Sequence, residues 1–233
     1  GYVAGQFDSA TGTFKHGNFE ELDRGFDFYA PQTTVDDKGR RILFAWMSVP
    51  DQNEQDHPTI EHKWLHTMTL PRELKFVNGK VRQVPLEELR DLRAGEAIEH
   101  KVVLDKESRE LNGVNGKAFE MEIRDLSFSE GWFDLSIGDG CRLIYSVGEK
   151  IVTLERKSYV NGVVEKRQCK VVNLDSLRVF VDTSSIEVFI NEGEETFTAR
   201  FYPSPNNDTV HFRASNQARF TIRKWDLDHV NLK

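Results

Sequence analysis

The fold class is decided by the stretch Phe119-Glu120-Met121-Glu122-Ile123, in which apolar and polar side chains alternate. The same period of two recurs at residues 177–181 (LRVFV) and 220–223 (FTIR). Alternate side chains of a β-strand point to opposite faces, so this pattern predicts strands with one face in a core. Turn-forming pairs such as Asn78-Gly79 and Asn161-Gly162 separate these runs about every 8 to 12 residues. The sequence therefore predicts an all-β protein.

Composition narrows the class of protein. The chain has 233 residues, of which 38% are hydrophobic and 30% charged, which indicates a folded soluble protein of one large or two modest domains. A net charge of −7 disfavours a nucleic-acid partner. The apolar run at residues 42–47 is far shorter than the roughly 20 residues of a membrane span, and no leader segment is visible, so we expect no membrane partner and a cytoplasmic location. Two cysteines, Cys141 and Cys169, are predicted to be buried and reduced.

One helical pattern marks a boundary. Residues 85–93 read PLEELRDLR, with a proline at the start and leucines three residues apart. We therefore divide the chain into an N-terminal part over residues 1–84, a helical linker over 85–97 and a β-sandwich over 98–233. The N-terminal part is too short for a closed barrel and would leave strand edges open, so it is predicted to be a piece of a larger all-β assembly.

The densest set of candidate site residues lies at 22–33, LDRGFDFYAPQT. In an extended chain Asp27 and Tyr29 share one face, while Phe26, Phe28 and Ala30 share the other. A carboxylate and a phenol opposite aromatic rings suit a pocket wall that binds polyols. The alternative interpretation is a turn at 23–25 with Asp27 in solvent.

Other candidates follow along the chain. Trp46 ends a predicted strand, where it is either a stacking platform for a sugar or a core residue. Residues 57–66 hold three histidines and a lysine, but their spacing is not that of a metal site. We expect no metal and no cofactor, and interpret this segment as a polar or anion-binding loop at a pocket mouth. No glycine-rich phosphate loop or serine nucleophile elbow occurs.

Four stretches in order carry a resemblance to a known family: 26–33 (FDFYAPQT), 39–47 (GRRILFAWM), 64–74 (WLHTMTLPREL) and 182–193 (DTSSIEVFINEG). They resemble motifs of glycoside hydrolase family 32, which contains invertases, sucrose-6-phosphate hydrolases and fructanases, and are most similar to the bacterial sucrose-6-phosphate hydrolase branch. The resemblance implies the last part of a five-bladed β-propeller followed by a C-terminal β-sandwich. It also implies retaining cleavage of the fructofuranosyl bond of sucrose 6-phosphate or sucrose, which uses two carboxylates about 5 to 5.5 Å apart.

The family's catalytic motifs are missing from these residues. Neither W-x-N-D-P-x-G, R-D-P nor E-C occurs in the sequence. We therefore expect the catalytic carboxylates upstream, in propeller blades that would be partners of this chain, and expect the chain alone to be inactive.

The resemblance also assigns site residues. It implies saccharide contacts for Asp27, Tyr29, Trp46 and, with its direction unclear after Pro31, Gln32. The cations of the 57–66 segment give candidate contacts to a substrate phosphate: Lys63, His62 and His66. The alternative function is an autonomous carbohydrate-binding or structural β-sandwich module without catalysis.

Overall fold

The computed structural model describes residues 1–50, 53–128 and 130–228. Its N-terminal part consists of β1 (Tyr2–Asp8), β2 (Thr13–Glu20), β3 (Tyr29–Val35), β4 (Arg41–Trp46), 3₁₀ helices over Glu54–Asp56 and Pro58–His62, β5 (Arg72–Val77) and β6 (Lys80–Pro85). The strands β3-β4-β5-β6 form an antiparallel sheet in chain order, which is the arrangement of a propeller blade. The strands β1 and β2 pair only with each other among the described residues.

A third 3₁₀ helix, Glu87–Leu92, leads to the second part of the chain. That part consists of β7 (Arg93–Asp105), β8 (Ser108–Asn115), β9 (Phe119–Phe128), β10 (Trp132–Ile137), β11 (Cys141–Ser146), β12 (Ile151–Lys157), β13 (Val164–Lys170), β14 (Leu177–Asp182), β15 (Ser185–Ile190), β16 (Glu195–Arg200), β17 (Thr209–Ala214) and β18 (Gln217–Leu227). An inner sheet has the order β16-β15-β14-β9-β18-β7, and an outer sheet has the order β13-β12-β11-β10-β17-β8. The two sheets form a sandwich, and the predicted all-β class is confirmed.

The core lies between the inner and outer sheets. Phe119, Met121 and Ile123 of β9 are fully buried there, as the alternating pattern predicts. The intervening Glu120 and Glu122 are also buried, on the opposite face of the inner sheet. That face is covered by guanidinium groups, mainly Arg93, and by the blade, so the strand is buried on both sides although its sequence is typical of one buried face.

The connection between the two parts is shorter than predicted. Pro85 is the last residue of β6, and the helix is a 3₁₀ helix of six residues. Residues 93–97, expected in the linker, belong to β7, because Arg93 and Ala94 pair with the far end of β18. The inner sheet therefore begins one residue after the helix ends.

None of the helices in the described ranges has both the length and the hydrophobicity that a membrane crossing requires. Both cysteines are buried free thiols. Burial raises the pKa of each thiol to about 12.

Candidate functional site

Three rings meet at one end of the blade, where β3 begins and β4 ends. Tyr29 pairs with Trp46 across these strands, and their ring centroids lie 5.9 Å apart at 75°. The ring of His66 also packs against Trp46 in an edge contact, with centroids 4.8 Å apart at 81°. A register shift brings the first two together, because Ala30 has a left-handed backbone (φ 46°) and interrupts the pairing.

These three residues, which we call the aromatic cluster, combine a fixed shape with open surface. Tyr29 is 48% exposed, His66 is exposed and Trp46 is half-buried. The rings hold one another by edge contacts, so their faces keep a set direction. Ring faces stack on the C–H surfaces of sugars, while the phenol and imidazole offer hydrogen bonds to hydroxyl groups. The cluster therefore offers a rigid surface against which one side of a saccharide can pack.

The other predicted contact residues do not join this cluster. Gln32 is exposed on β3, opposite Phe44, beyond the interruption at Ala30. His62 lines a separate cavity of about 350 Å³ together with Lys117 and the 203–208 loop. Lys63 ends the 3₁₀ helix in a left-handed conformation and is exposed. Of the three candidate phosphate contacts, His66 belongs to the aromatic cluster, whereas His62 and Lys63 do not.

Asp27 occupies a different place from the one predicted. The residue is only 2% exposed, and its Oδ2 accepts hydrogen bonds from Arg156 Nη1 (2.5 Å) and from the backbone N–H of Arg200 (2.7 Å). Burial raises the pKa of Asp27, and the two donors oppose that shift. The predicted pocket position is wrong because the chain is not extended here: β3 begins only at Tyr29, and Phe26 and Asp27 are both buried in succession. The structure assigns Asp27 to the contact with the sandwich.

Residues 23–27, which we call the edge clamp, form that contact along β16, the edge strand of the inner sheet. The backbone N–H groups of Arg24 and Phe26 donate to the carbonyls of Thr196 and Thr198, both at 2.8 Å. Asp23 Oδ1 accepts from the N–H of Thr198 at 2.9 Å, as Asp27 does from that of Arg200. The clamp thus supplies backbone donors and carboxylate acceptors to a strand edge that would otherwise be open to another chain.

A buried arginine completes the contact between blade and sandwich. Arg72 of β5 is fully buried and donates to Asp23 Oδ2 (3.0 Å), to Gln83 Oε1 (2.9 Å) and to Glu187 Oε2 (2.6 Å) on β15. Burial raises the pKa of Glu187, and Arg72 opposes that shift. Thr198 also accepts from Arg72, so the cluster is a hydrogen-bonded network of charges and neutral groups.

Sequence reasoning missed Asp23, Arg72 and Glu187, because their partners are far away in the chain. One signal was present: a glycine lies between two aspartates in DRGFD. A Cβ on Gly25 would collide with the carbonyl oxygen of Thr198, so the clamp needs glycine at this position.

The described part of the chain contains no group of three or more His, Cys, Asp or Glu side chains that could hold a metal ion. The aromatic cluster offers ring faces and polar ring substituents, which suit an organic, hydroxyl-rich ligand.

Two family models match the chain in sequence. Residues 1–85 match the N-terminal domain of glycosyl hydrolases family 32, and residues 88–227 match the C-terminal domain of that family. The chain belongs to glycosyl hydrolases family 32. The resemblance of the four motifs to this family is confirmed.

Relatives within the family agree. The chain is 43% identical to the sucrose-6-phosphate hydrolase of Bacillus subtilis (strain 168) over 97% of its own length and 47% of that protein. It is 35% identical to the Staphylococcus xylosus enzyme of the same name, with the same coverage. A family 32 β-fructofuranosidase from Bombyx mori superposes with a TM-score of 0.74 at 27% identity, over 98% of this chain and 47% of that one. The chain spans about half the length of these relatives.

Proposed function

We propose that this chain is the C-terminal portion of a retaining β-fructofuranosidase that cleaves sucrose 6-phosphate or sucrose. The observation that carries the proposal is the 43% identity, over 97% of the chain, to a sucrose-6-phosphate hydrolase. The aromatic cluster supports it, because it presents a saccharide-sized edge at the end of a family 32 blade.

Two structural features support further propeller blades as partners of this chain. The hairpin β1–β2 leaves Phe7 and Phe19 68% and 64% exposed, which is costly for a phenylalanine without a neighbour. The indole N–H of Trp46 is buried and has no hydrogen-bond partner among the described residues. Buried donors are nearly always paired, so an acceptor on an adjoining blade would complete this one.

The proposed chemistry divides between the two portions of the enzyme. Retaining hydrolysis needs a nucleophilic carboxylate and an acid/base carboxylate about 5 to 5.5 Å apart, and we place both on the N-terminal blades. Tyr29, Trp46 and His66 would form one wall of the same pocket, where they orient the sugar and exclude water from the glycosidic bond. Sucrose 6-phosphate carries a charged group that cannot cross a bilayer unaided, so we also propose a cytoplasmic location.

Hydrolysis by the full-length protein tests this proposal. We expect release of a fructose-containing product from sucrose 6-phosphate and sucrose by the full-length protein and no release by residues 1–233 alone. Trp46→Ala in the full-length protein should raise KM for both substrates about tenfold, the factor that corresponds to about 1.4 kcal/mol of lost contact. Trp132→Ala is the matched control, because Trp132 is a half-exposed tryptophan of the outer sheet. Hydrolysis by the isolated chain, or equal effects of the two variants, would contradict the proposal.

The candidate phosphate contacts are tested by comparing substrates. If His66 or Lys63 binds the phosphate, His66→Ala or Lys63→Ala should raise KM for sucrose 6-phosphate more than KM for sucrose, because only the first substrate loses a charge-assisted contact. Lys170→Ala, on the outer edge of the sandwich, is the control. Equal changes for the two substrates would remove the residue from the phosphate site.

A further inference from the structure

Arg200, the last residue of β16, is a buried cation with an unusual set of partners. It is fully buried, and no carboxylate of the described residues lies within ion-pair distance of its guanidinium group. Instead it donates to neutral oxygens. The three shortest bonds go to the carbonyl of Ser184 from Nε (3.1 Å), the carbonyl of Leu65 from Nη1 (3.0 Å) and the hydroxyl of Tyr202 from Nη2 (2.8 Å), and a longer one of 3.4 Å joins Nη2 to the hydroxyl of Ser184. Burying a charge is costly unless it is hydrogen-bonded, so these three oxygens fix the guanidinium firmly.

The carbonyl of Leu65 lies immediately before the aromatic cluster. The next residue is His66, whose ring packs against Trp46. On the other side of His66, the carbonyl of Thr67 accepts a hydrogen bond from the N–H of Met47 at 2.9 Å. The segment that carries His66 is therefore held at two points: by Met47, which directly follows β4 of the blade, and by Arg200 of the sandwich.

The loop over residues 57–66 ends at His66, and Arg200 is also linked to its first residue, His57, through Tyr202. The hydroxyl of Tyr202, which accepts from Arg200, lies 2.8 Å from Nδ1 of the buried His57. The ring of His57 stacks on Tyr159 of the sandwich, with centroids 4.2 Å apart. Trp64, directly before Leu65, places its ring 5.2 Å from Cζ of Arg200. Both ends of the loop from His57 to His66 thus depend on Arg200 and Tyr202.

We propose that Arg200 is a positioning residue for the saccharide site: it sets the place of His66, and through the ring contact the face that Trp46 presents. The proposal rests on the proposed function of the aromatic cluster. It gives the sandwich a role in substrate affinity through its contacts with the segment that carries His66.

Kinetics of two variants of the full-length enzyme test this role. Arg200→Lys keeps the charge, but a single ammonium group cannot reach all three oxygens at once. We expect a KM for sucrose about tenfold higher and a kcat changed less than threefold, since the catalytic carboxylates are not moved. Tyr202→Phe should raise KM about threefold. Tyr145→Phe is the matched control, because its buried hydroxyl donates to the carbonyl of Val172, far from the loop, and KM should be unchanged.

A spectroscopic measurement separates positioning from activity. In the full-length protein labelled with fluorotryptophan, the ¹⁹F resonance of Trp46, assigned with Trp46→Phe, should shift in Arg200→Lys and Tyr202→Phe but not in Tyr145→Phe. A shift in a protein that hydrolyses neither sucrose 6-phosphate nor sucrose would keep the positioning role and refute the proposed function. An unchanged Trp46 resonance with an unchanged KM would overturn the positioning role, even if the melting temperature falls. If Arg200→Lys does not fold, Tyr202→Phe decides by the same two readouts.

Discussion

Gly25 lies where two backbones approach each other too closely for a side chain. Its neighbours Arg24 and Phe26 both donate to β16, and a Cβ would meet the carbonyl of Thr198. Glycine is therefore required here because the clamp and the sandwich leave no room for a side chain, and not because the backbone makes a turn.

The first prediction is that Gly25→Ala destabilises the protein. The clamp must move away from β16, and about three hydrogen bonds at roughly 0.5 to 1.5 kcal/mol each are lost, so the free energy of unfolding should fall by about 2 to 4 kcal/mol. Denaturant unfolding measures this change. Gly148→Ala is the control, because a Cβ there meets no atom within 4 Å, and it should change stability by less than about 0.5 kcal/mol. Equal stability of the two variants would mean that the clamp does not lie against β16.

The second prediction concerns Asp27, whose removal should affect folding more than catalysis. Asp27→Ala leaves Arg156 buried without a carboxylate on that side, and breaking a buried pair in this way costs about 3 to 5 kcal/mol. A double-mutant cycle with Arg156→Met should show a coupling energy well above that of the exposed pair Arg223–Glu99, which should stay below about 1 kcal/mol. If Asp27→Ala keeps full stability but has a raised KM, Asp27 contacts the saccharide instead.

At the scale of elements, the blade and the sandwich share one buried polar network. The edge clamp adds to β16, and Arg72 of β5 reaches Glu187 of β15. The carbonyl of Gly193, in the turn between β15 and β16, accepts from the N–H of Gln83 at 3.0 Å. Without the blade, the edge strand β16 would lack hydrogen-bond partners on its free side and Glu187 on the outward face of the inner sheet would lack its cation.

The third prediction follows from Arg72. Arg72→Met removes the only cation that pairs with both Asp23 and Glu187 in the described structure, and the two buried carboxylates then repel each other. Loss of about 3 to 5 kcal/mol is expected, and limited proteolysis should then cut between residues 85 and 93, where blade and sandwich join. Arg90→Met is the control, since Arg90 is half-exposed and, among the residues that the structure describes, pairs only with Glu87. Unchanged protection of the junction would show that the network does not hold the two parts together.

For the whole molecule, the fourth prediction concerns pH and the two thiols. The pKa of each buried thiol is about 12 in the folded protein, and a thiol in the unfolded chain titrates near 8.5. Because the folded pKa is the higher one, the folded state keeps protons that the unfolded state loses. The contribution is fully present below pH 8.5 and is lost as the pH rises toward 12, by at most about 1.4 kcal/mol per pH unit for each thiol.

Two measurements check that the thiols are buried and that their contribution to stability falls as the pH rises. Dithionitrobenzoate at pH 8 should label neither cysteine in the folded protein and both after denaturation. Between pH 7.5 and 9.5, the free energy of unfolding should fall by about 1 kcal/mol more in the wild type than in Cys141→Ala. Rapid labelling of the folded protein, or a fall in unfolding free energy that is no larger in the wild type than in Cys141→Ala, would show that the thiols are not buried as described.

The sequence predicts local structure better than it predicts contacts between the two parts. Strands such as β9 were predictable because their alternation is a local property. Tyr29 and Trp46, both named from their motifs, lie in ring contact, and their contact with a saccharide stays a prediction. The direction of Asp27 was not predictable. It depends on where β3 begins, on the left-handed Ala30 and on a partner 173 residues away.

The edge clamp also has a consequence for biosynthesis. Asp23 leaves the ribosome 175 residues before the strand that it caps, which at about 5 to 20 residues per second is an interval of roughly 10 to 35 s. During that time Phe26 and the two aspartates of the clamp have no β16 to meet, so the blade cannot reach its final form while the chain is being made. A strand synthesised late therefore completes a segment that was made much earlier, and a ribosome that stalls before residue 200 leaves the clamp residues exposed on the nascent chain, where chaperones can bind them.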